Sequence, residues 1–173
     1  MSDKQIKTVN PLTEQVLDTY AYMTDAQAAD TVKACHEAFL QWRLRSLEDR
    51  ASVMTAIAQK LEEKKEAFAQ LMTNEVGKLI GDSRSEVDLC VAICRYTAEH
   101  GPKVLADEER PGANGTGIVT HSPIGVVYGI QPWNFPAYQA VRYSIASLMA
   151  GNGVLLKHAE SCTGSGLFLR DLY

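Results

Sequence analysis

Apolar residues recur at helical spacing through the first hundred positions and then give way to short continuous apolar runs. Thr24-x-x-Gln27 is a capping box, and Val32, Cys35, Ala38 and Phe39 form the stripe behind it. They predict a helix through about Leu40. Met54, Ile57, Ala58, Leu61, Phe68, Leu71 and Met72 keep the same period after Ser46 and Asp49. This predicts a single second helix ended by Gly77, with Glu62, Glu63, Lys64, Lys65 and Glu66 on its solvated face. A third helix is predicted from Gly81-Asp82 to Gly101-Pro102. Asp107 to Gly117 is charged and rich in Gly, Pro and Asn, which predicts a loop, with a short strand from Gly117 to Pro123.

The pattern changes at residue 125. Val126, Val127 and Ile130 form a β-prone run, and Pro132 and Pro136 forbid regular structure around Trp133-Asn134-Phe135. A helix fits Ala137 to Ala150, closed by Gly151 and Asn152. Val154-Leu155-Leu156 reads as a parallel strand covered on both faces, and a last helix starts near Ser161. Strand, helix and strand make a βαβ unit, so the fold class is α/β, with amino-terminal helices beside the start of a parallel, Rossmann-like sheet. Ligands of such sheets bind at the carboxyl ends of the strands, where Asn134 and Lys157 fall. A parallel sheet normally has more than two strands. The pattern therefore reads as a domain cut before completion, with an exposed strand edge.

At 173 residues the chain is expected to form one domain with a sizeable core. A net charge of −4 without a basic stripe argues against a nucleic-acid partner. The polar opening Met1-Ser2-Asp3-Lys4 argues against a signal peptide, and no apolar run reaches membrane-spanning length, so a cytoplasmic location is expected. Reduced thiols are then expected for Cys35, Cys90, Cys94 and Cys162. Cys90 and Cys94 share a helix face with Val87 and Val91, which favours buried small hydrophobes over half a metal site. No metal is expected. His36, His100 and His121 have no partner at metal or triad spacing.

Pro-Trp-Asn-Phe-Pro at 132–136, Ala150-Gly151-Asn152 and Lys157-x-x-Glu160 together resemble the aldehyde dehydrogenase superfamily. Asn10-Pro11 with Thr13-Glu14, and Glu75-x-Gly77-Lys78 followed by Glu86, extend the resemblance along the whole chain. Tyr96 with Ala98-Glu99-His100, Gln139-x-x-Arg142 and Lys157-His158-Ala159 most resemble the bacterial succinate-semialdehyde dehydrogenases. The resemblance implies that residues 1–173 form a partial aldehyde dehydrogenase domain, the amino-terminal part of the cofactor-binding domain. The family's catalytic domain would be absent.

By the same resemblance, Asn134 donates to the oxyanion formed when a cysteine thiolate attacks an aldehyde. Alone, an Asn between prolines is a turn residue. Lys157 and Glu160 would hold the adenosine ribose of NAD, with NADP as the alternative, since a carboxylate repels a 2′-phosphate. Taken by themselves they would be a surface ion pair and a helix cap. Ile130, Pro132, Trp133, His158 and Ala159 would line the rest of the cofactor groove. The Gly-x-Gly-x-x-Gly phosphate loop is missing, and the family manages without it. His158 and Ala146 stand where the family often has proline, and His158 is expected to loosen the loop carrying Lys157 and Glu160.

Cys162 lies near a helix start with His158 four residues away, but the family's nucleophilic cysteine and general-base glutamate lie beyond Tyr173. The implied activity is NAD(P)-dependent oxidation of an aldehyde, succinate semialdehyde above others, to its acid. The alternative is a non-catalytic truncated homologue that binds dinucleotide weakly or associates with a full-length partner. A homo-oligomer is a further expectation.

Overall fold

The computed structural model describes residues 5–173. The polar opening Met1–Lys4 lies outside the described residues. The chain begins with an antiparallel hairpin of β1 (Gln5–Val9) and β2 (Val16–Ala21). Four helices follow: α1 (Asp25–Trp42), α2 (Leu47–Glu63), α3 (Lys65–Val76) and α4 (Ile80–Leu105). A second hairpin joins β3 (Glu108–Gly112) to β4 (Gly115–Val119). Then come β5 (Val126–Ile130), α5 (Pro136–Met149) and β6 (Gly153–Lys157). A 3₁₀ turn at Glu160–Cys162 leads into α6 (Thr163–Leu172). The fold is α/β, and β5 and β6 pair in parallel from Val126↔Gly153 to Ile130↔Lys157.

The capping box at Thr24 and Gln27 forms as expected, and Gly77 ends α3 in the left-handed conformation at φ 69°. The core lies between α2, α4 and α5, where Met54, Leu61, Val87, Cys90, Cys94, Val141 and Ile145 are sealed from solvent. Phe68 on α3 stacks on Phe168 of α6 at 4.5 Å between ring centroids, which brings the last helix onto the same core. Gly129 lets β5 approach α5. The Tyr143 ring occupies the space a Cβ would need, and the Tyr143 hydroxyl donates to the Leu155 carbonyl at 2.8 Å.

Three expectations from the pattern are corrected. The second helix is two helices, with Lys64 at φ −104°, ψ 10° between them. A straight helix from Ser46 to Gly77 would run about 45 Å, beyond a core of this size. The bend returns Phe68, Ala69 and Met72 to the interior. Helix α4 does not stop at Gly101-Pro102 but runs through Pro102 to Leu105. Gly101 is there for contact, since a Cβ would come within 2.6 Å of Met149 Cγ. The expected loop at Asp107 to Gly117 is mostly the β3–β4 hairpin, with Ala113 and Asn114 as its two-residue turn. Both of its strands are exposed along their whole length, so no alternation of apolar and polar residues announces them.

Candidate functional site

Strands β5 and β6 end side by side, and the Gln131 N–H donates to the Lys157 carbonyl at 3.0 Å. The turn after β5 therefore stands next to the loop after β6. Asn134 is exposed in that turn, and its side-chain amide makes no hydrogen bond among the described residues. Ile130 is 70 % exposed and Trp133 58 %, so both offer apolar surface at this strand end. Pro132 and Lys157 are also exposed, and Ala159 is half-buried. The structure thus brings the expected site residues of 130–134 and 157–160 to one end of the parallel pair.

Sequence reasoning missed what holds them. Tyr22, just past β2, donates its hydroxyl to Glu160 Oε1 at 2.8 Å, and that bond raises the phenol pKa. Glu86 on α4 receives the first amides of α5 on one oxygen, Ala137 N at 2.8 Å and Tyr138 N at 2.9 Å. Its other oxygen meets Lys78 Nζ at 2.5 Å. Phe135 offers no capping side chain, so the start of α5 is capped from a distant helix. Glu75 does the same for α6, accepting from Gly164 N, Ser165 N and Ser165 Oγ. Both glutamates belong to the quoted motif, but no local spacing could reveal partners more than fifty residues away.

His158 does not loosen its loop. Its Nδ1 accepts the Ala159 N–H at 2.8 Å, which leaves Nε2 to donate to the Pro136 carbonyl at 2.8 Å. The ring joins the loop after β6 to the start of α5, and burial lowers its pKa and keeps it neutral. Cys162 Sγ lies 3.0 Å from the same Nδ1. That geometry would suit a nucleophile and its base, but the thiol has no exposed surface and burial pushes its pKa up to about 12. The helix start does not activate it. Cys94 is likewise pushed up to about 12 by burial, and Cys90 and Cys35 are raised for the same reason. Among the described residues no group of three His, Cys, Asp or Glu could hold a metal ion. No described helix is long and apolar enough to cross a membrane.

Burial outweighs its hydrogen bonds and raises the Glu75 carboxyl pKa. The native state then keeps this proton at pH values where the unfolded chain has lost it. Stability should fall as pH rises from the ordinary value of 4.5 through the raised one. The difference in urea midpoint between wild type and Glu75→Gln, followed across that interval, is expected to carry this slope. A flat difference would show that the three hydrogen bonds cancel the burial.

A model of the aldehyde dehydrogenase family matches residues 1–173. The chain belongs to the aldehyde dehydrogenase family. It is 36% identical over 171 residues to the succinate-semialdehyde dehydrogenase [NADP(+)] of Deinococcus radiodurans, covering 99% of this chain and 36% of that protein. It is 35% identical over 170 residues to succinate-semialdehyde dehydrogenase [NADP(+)] 1 of Mycobacterium tuberculosis, covering 96% of this chain and 37% of the relative. The succinic semialdehyde dehydrogenase of Streptococcus pyogenes, solved with NADP+, superposes with a TM-score of 0.93 at 32% identity. That match covers 96% of this chain and 37% of the solved one. The chain therefore spans little more than a third of the length of the aldehyde dehydrogenases it matches, as their amino-terminal portion.

Proposed function

We propose that this aldehyde dehydrogenase chain supplies the oxyanion donor and part of the dinucleotide groove for oxidation of succinate semialdehyde to its acid. The observation that carries the reading is the free, exposed amide of Asn134 beside Lys157 and Glu160 at the end of the parallel pair. The residues fit a nicotinamide dinucleotide: Ile130, Pro132 and Trp133 offer apolar surface to flat rings, and Ala159 closes the loop beside them. Lys157 offers ammonium donors, and Glu160 offers a carboxylate to ribose hydroxyls. The loop carrying them is fixed by His158, whose ring is committed to Pro136 and Ala159. When bound, the dinucleotide supplies the hydride acceptor. Asn134 would donate to the oxygen of the attacked aldehyde as its negative charge develops.

The relatives named above are NADP-dependent, which favours NADP, whereas the Glu160 carboxylate disfavours a 2′-phosphate. Neutralising that charge should therefore raise NADP affinity relative to NAD. Residues 1–173, set in place of the matched portion of the Deinococcus radiodurans enzyme, provide a hybrid for testing these roles. In that hybrid Asn134→Ala is expected to lower the single-turnover rate by about 10²–10³ with cofactor affinity unchanged. Glu160→Gln is expected to weaken NAD and spare the chemical step. Weaker cofactor binding with unchanged chemistry in Asn134→Ala would reduce Asn134 to a residue that shapes the turn.

A further inference from the structure

An oxyanion donor is effective only if its amide is held in place before charge develops. Within the Pro132–Pro136 turn, Asn134 and its neighbours Trp133 and Phe135 are exposed, and the Asn134 side-chain amide makes no hydrogen bond among the described residues. The polar and cation–π contacts that fasten this turn to α4 converge on one pair, beside the packing of the buried Pro136. Lys78 Nζ lies 3.7 Å from the centroid of the Phe135 ring and 3.5 Å from the Asn134 carbonyl oxygen. The same ammonium meets Glu86 Oε2, while Glu86 Oε1 takes the Ala137 and Tyr138 amides. Residues 134, 135, 137 and 138 are thus all bound to Lys78 or Glu86.

The pair is itself well anchored. The Glu86 side chain is 1% exposed and that of Lys78 15%. Lys78 follows the left-handed Gly77 and sits in the short joint between α3 and α4, so its backbone is fixed on both sides. A buried ion pair is a poor way to gain stability alone, because two charges must leave water. Here each charge has a second task. The carboxylate receives the start of α5, and the ammonium covers the Phe135 ring and the Asn134 carbonyl.

We propose that Lys78 and Glu86 are positioning residues for the Asn134 amide, acting through the Phe135 ring and the first turn of α5. This inference rests on the reading of Asn134 as oxyanion donor. Neither residue needs to touch substrate. Lys78 already has its charge matched by Glu86, so its contribution is to geometry.

The test has two arms. In the 173-residue chain, amide hydrogen exchange is read for Lys78→Met and Glu86→Gln. Lys78→Met should speed exchange at Gln139, whose N–H donates to the Phe135 carbonyl at 3.1 Å, and Glu86→Gln at Ala137 and Tyr138, each by about tenfold or more, with Ile57 to Leu61 unchanged. Unchanged exchange at these amides overturns the proposal. In the hybrid enzyme, Lys78→Met should lower kcat by about tenfold or more and leave the cofactor KM alone. Lys78→Arg keeps the charge over the ring and should retain most of the rate.

The deciding comparison is Lys78→Met added to Asn134→Ala. A positioning residue loses its effect once the amide it positions is gone, so no further fall in kcat is expected. An equal fall in both backgrounds would show a general structural role and overturn the proposal. A fall with Asn134→Ala and none with Lys78→Met would overturn the positioning role alone. Full turnover in Asn134→Ala would instead overturn the oxyanion reading and the positioning role with it.

Discussion

Glu86→Ala is expected to lower the unfolding free energy by about 3–5 kcal/mol, measured by urea denaturation of the 173-residue chain. The carboxylate is buried and accepts three donors: Lys78 Nζ, Ala137 N and Tyr138 N. Removing it leaves an ammonium without its partner and two helix-start amides without an acceptor. Glu86→Gln should cost less, because a neutral amide oxygen remains as a weaker acceptor for the Ala137 and Tyr138 amides. The exposed pairs Lys60–Glu63 and Arg95–Glu62 give the contrast. Breaking either should cost under about 1 kcal/mol, since both partners are already hydrated. A loss that small for Glu86→Ala would mean that water replaces the carboxylate.

The purified 173-residue chain is expected to reduce neither NAD nor NADP when given succinate semialdehyde. Covalent attack on an aldehyde needs a thiolate, and burial raises the pKa of all four thiols. Cys162 comes nearest to a nucleophile by geometry, through its contact with His158, and is among the most buried. Absorbance of reduced nicotinamide is the measurement, with Cys162→Ala as the control. Turnover that vanishes in Cys162→Ala would show that the helix opens far enough to expose this thiol.

The βαβ unit was legible because each of its signals is local. Prolines bracket the turn, Gly151 and Asn152 close the helix, and two apolar runs of strand length flank it. Asn134, Lys157 and Glu160 could be assigned to one end of the sheet on the same grounds. The β3–β4 hairpin was not legible, because a fully exposed strand pair has no apolar face to set a period. The bend at Lys64 escaped for the opposite reason, since Leu61 and Phe68 are both buried and the period runs through it unbroken. The links from Tyr22 to Glu160, from Glu75 to α6 and from Glu86 to α5 join residues far apart in sequence. Only folding makes them neighbours. His158 shows how a residue that looked like a loosening substitution becomes a strut once Pro136 is beside it.

The direction of the two glutamate caps has a consequence for synthesis. Glu86 precedes the amides it receives by 51 and 52 residues, and Glu75 precedes its own by 89 and 90. At roughly 5–20 residues per second, α5 leaves the ribosome several seconds after Glu86. Helices α3 and α4 have time to form before the segments that depend on them emerge. Neither α5 nor α6 carries a capping side chain at its own start, and the carboxylate that receives each is synthesised before it. A circular permutant that placed α5 and α6 ahead of α3 would deliver both helix starts before their acceptors existed.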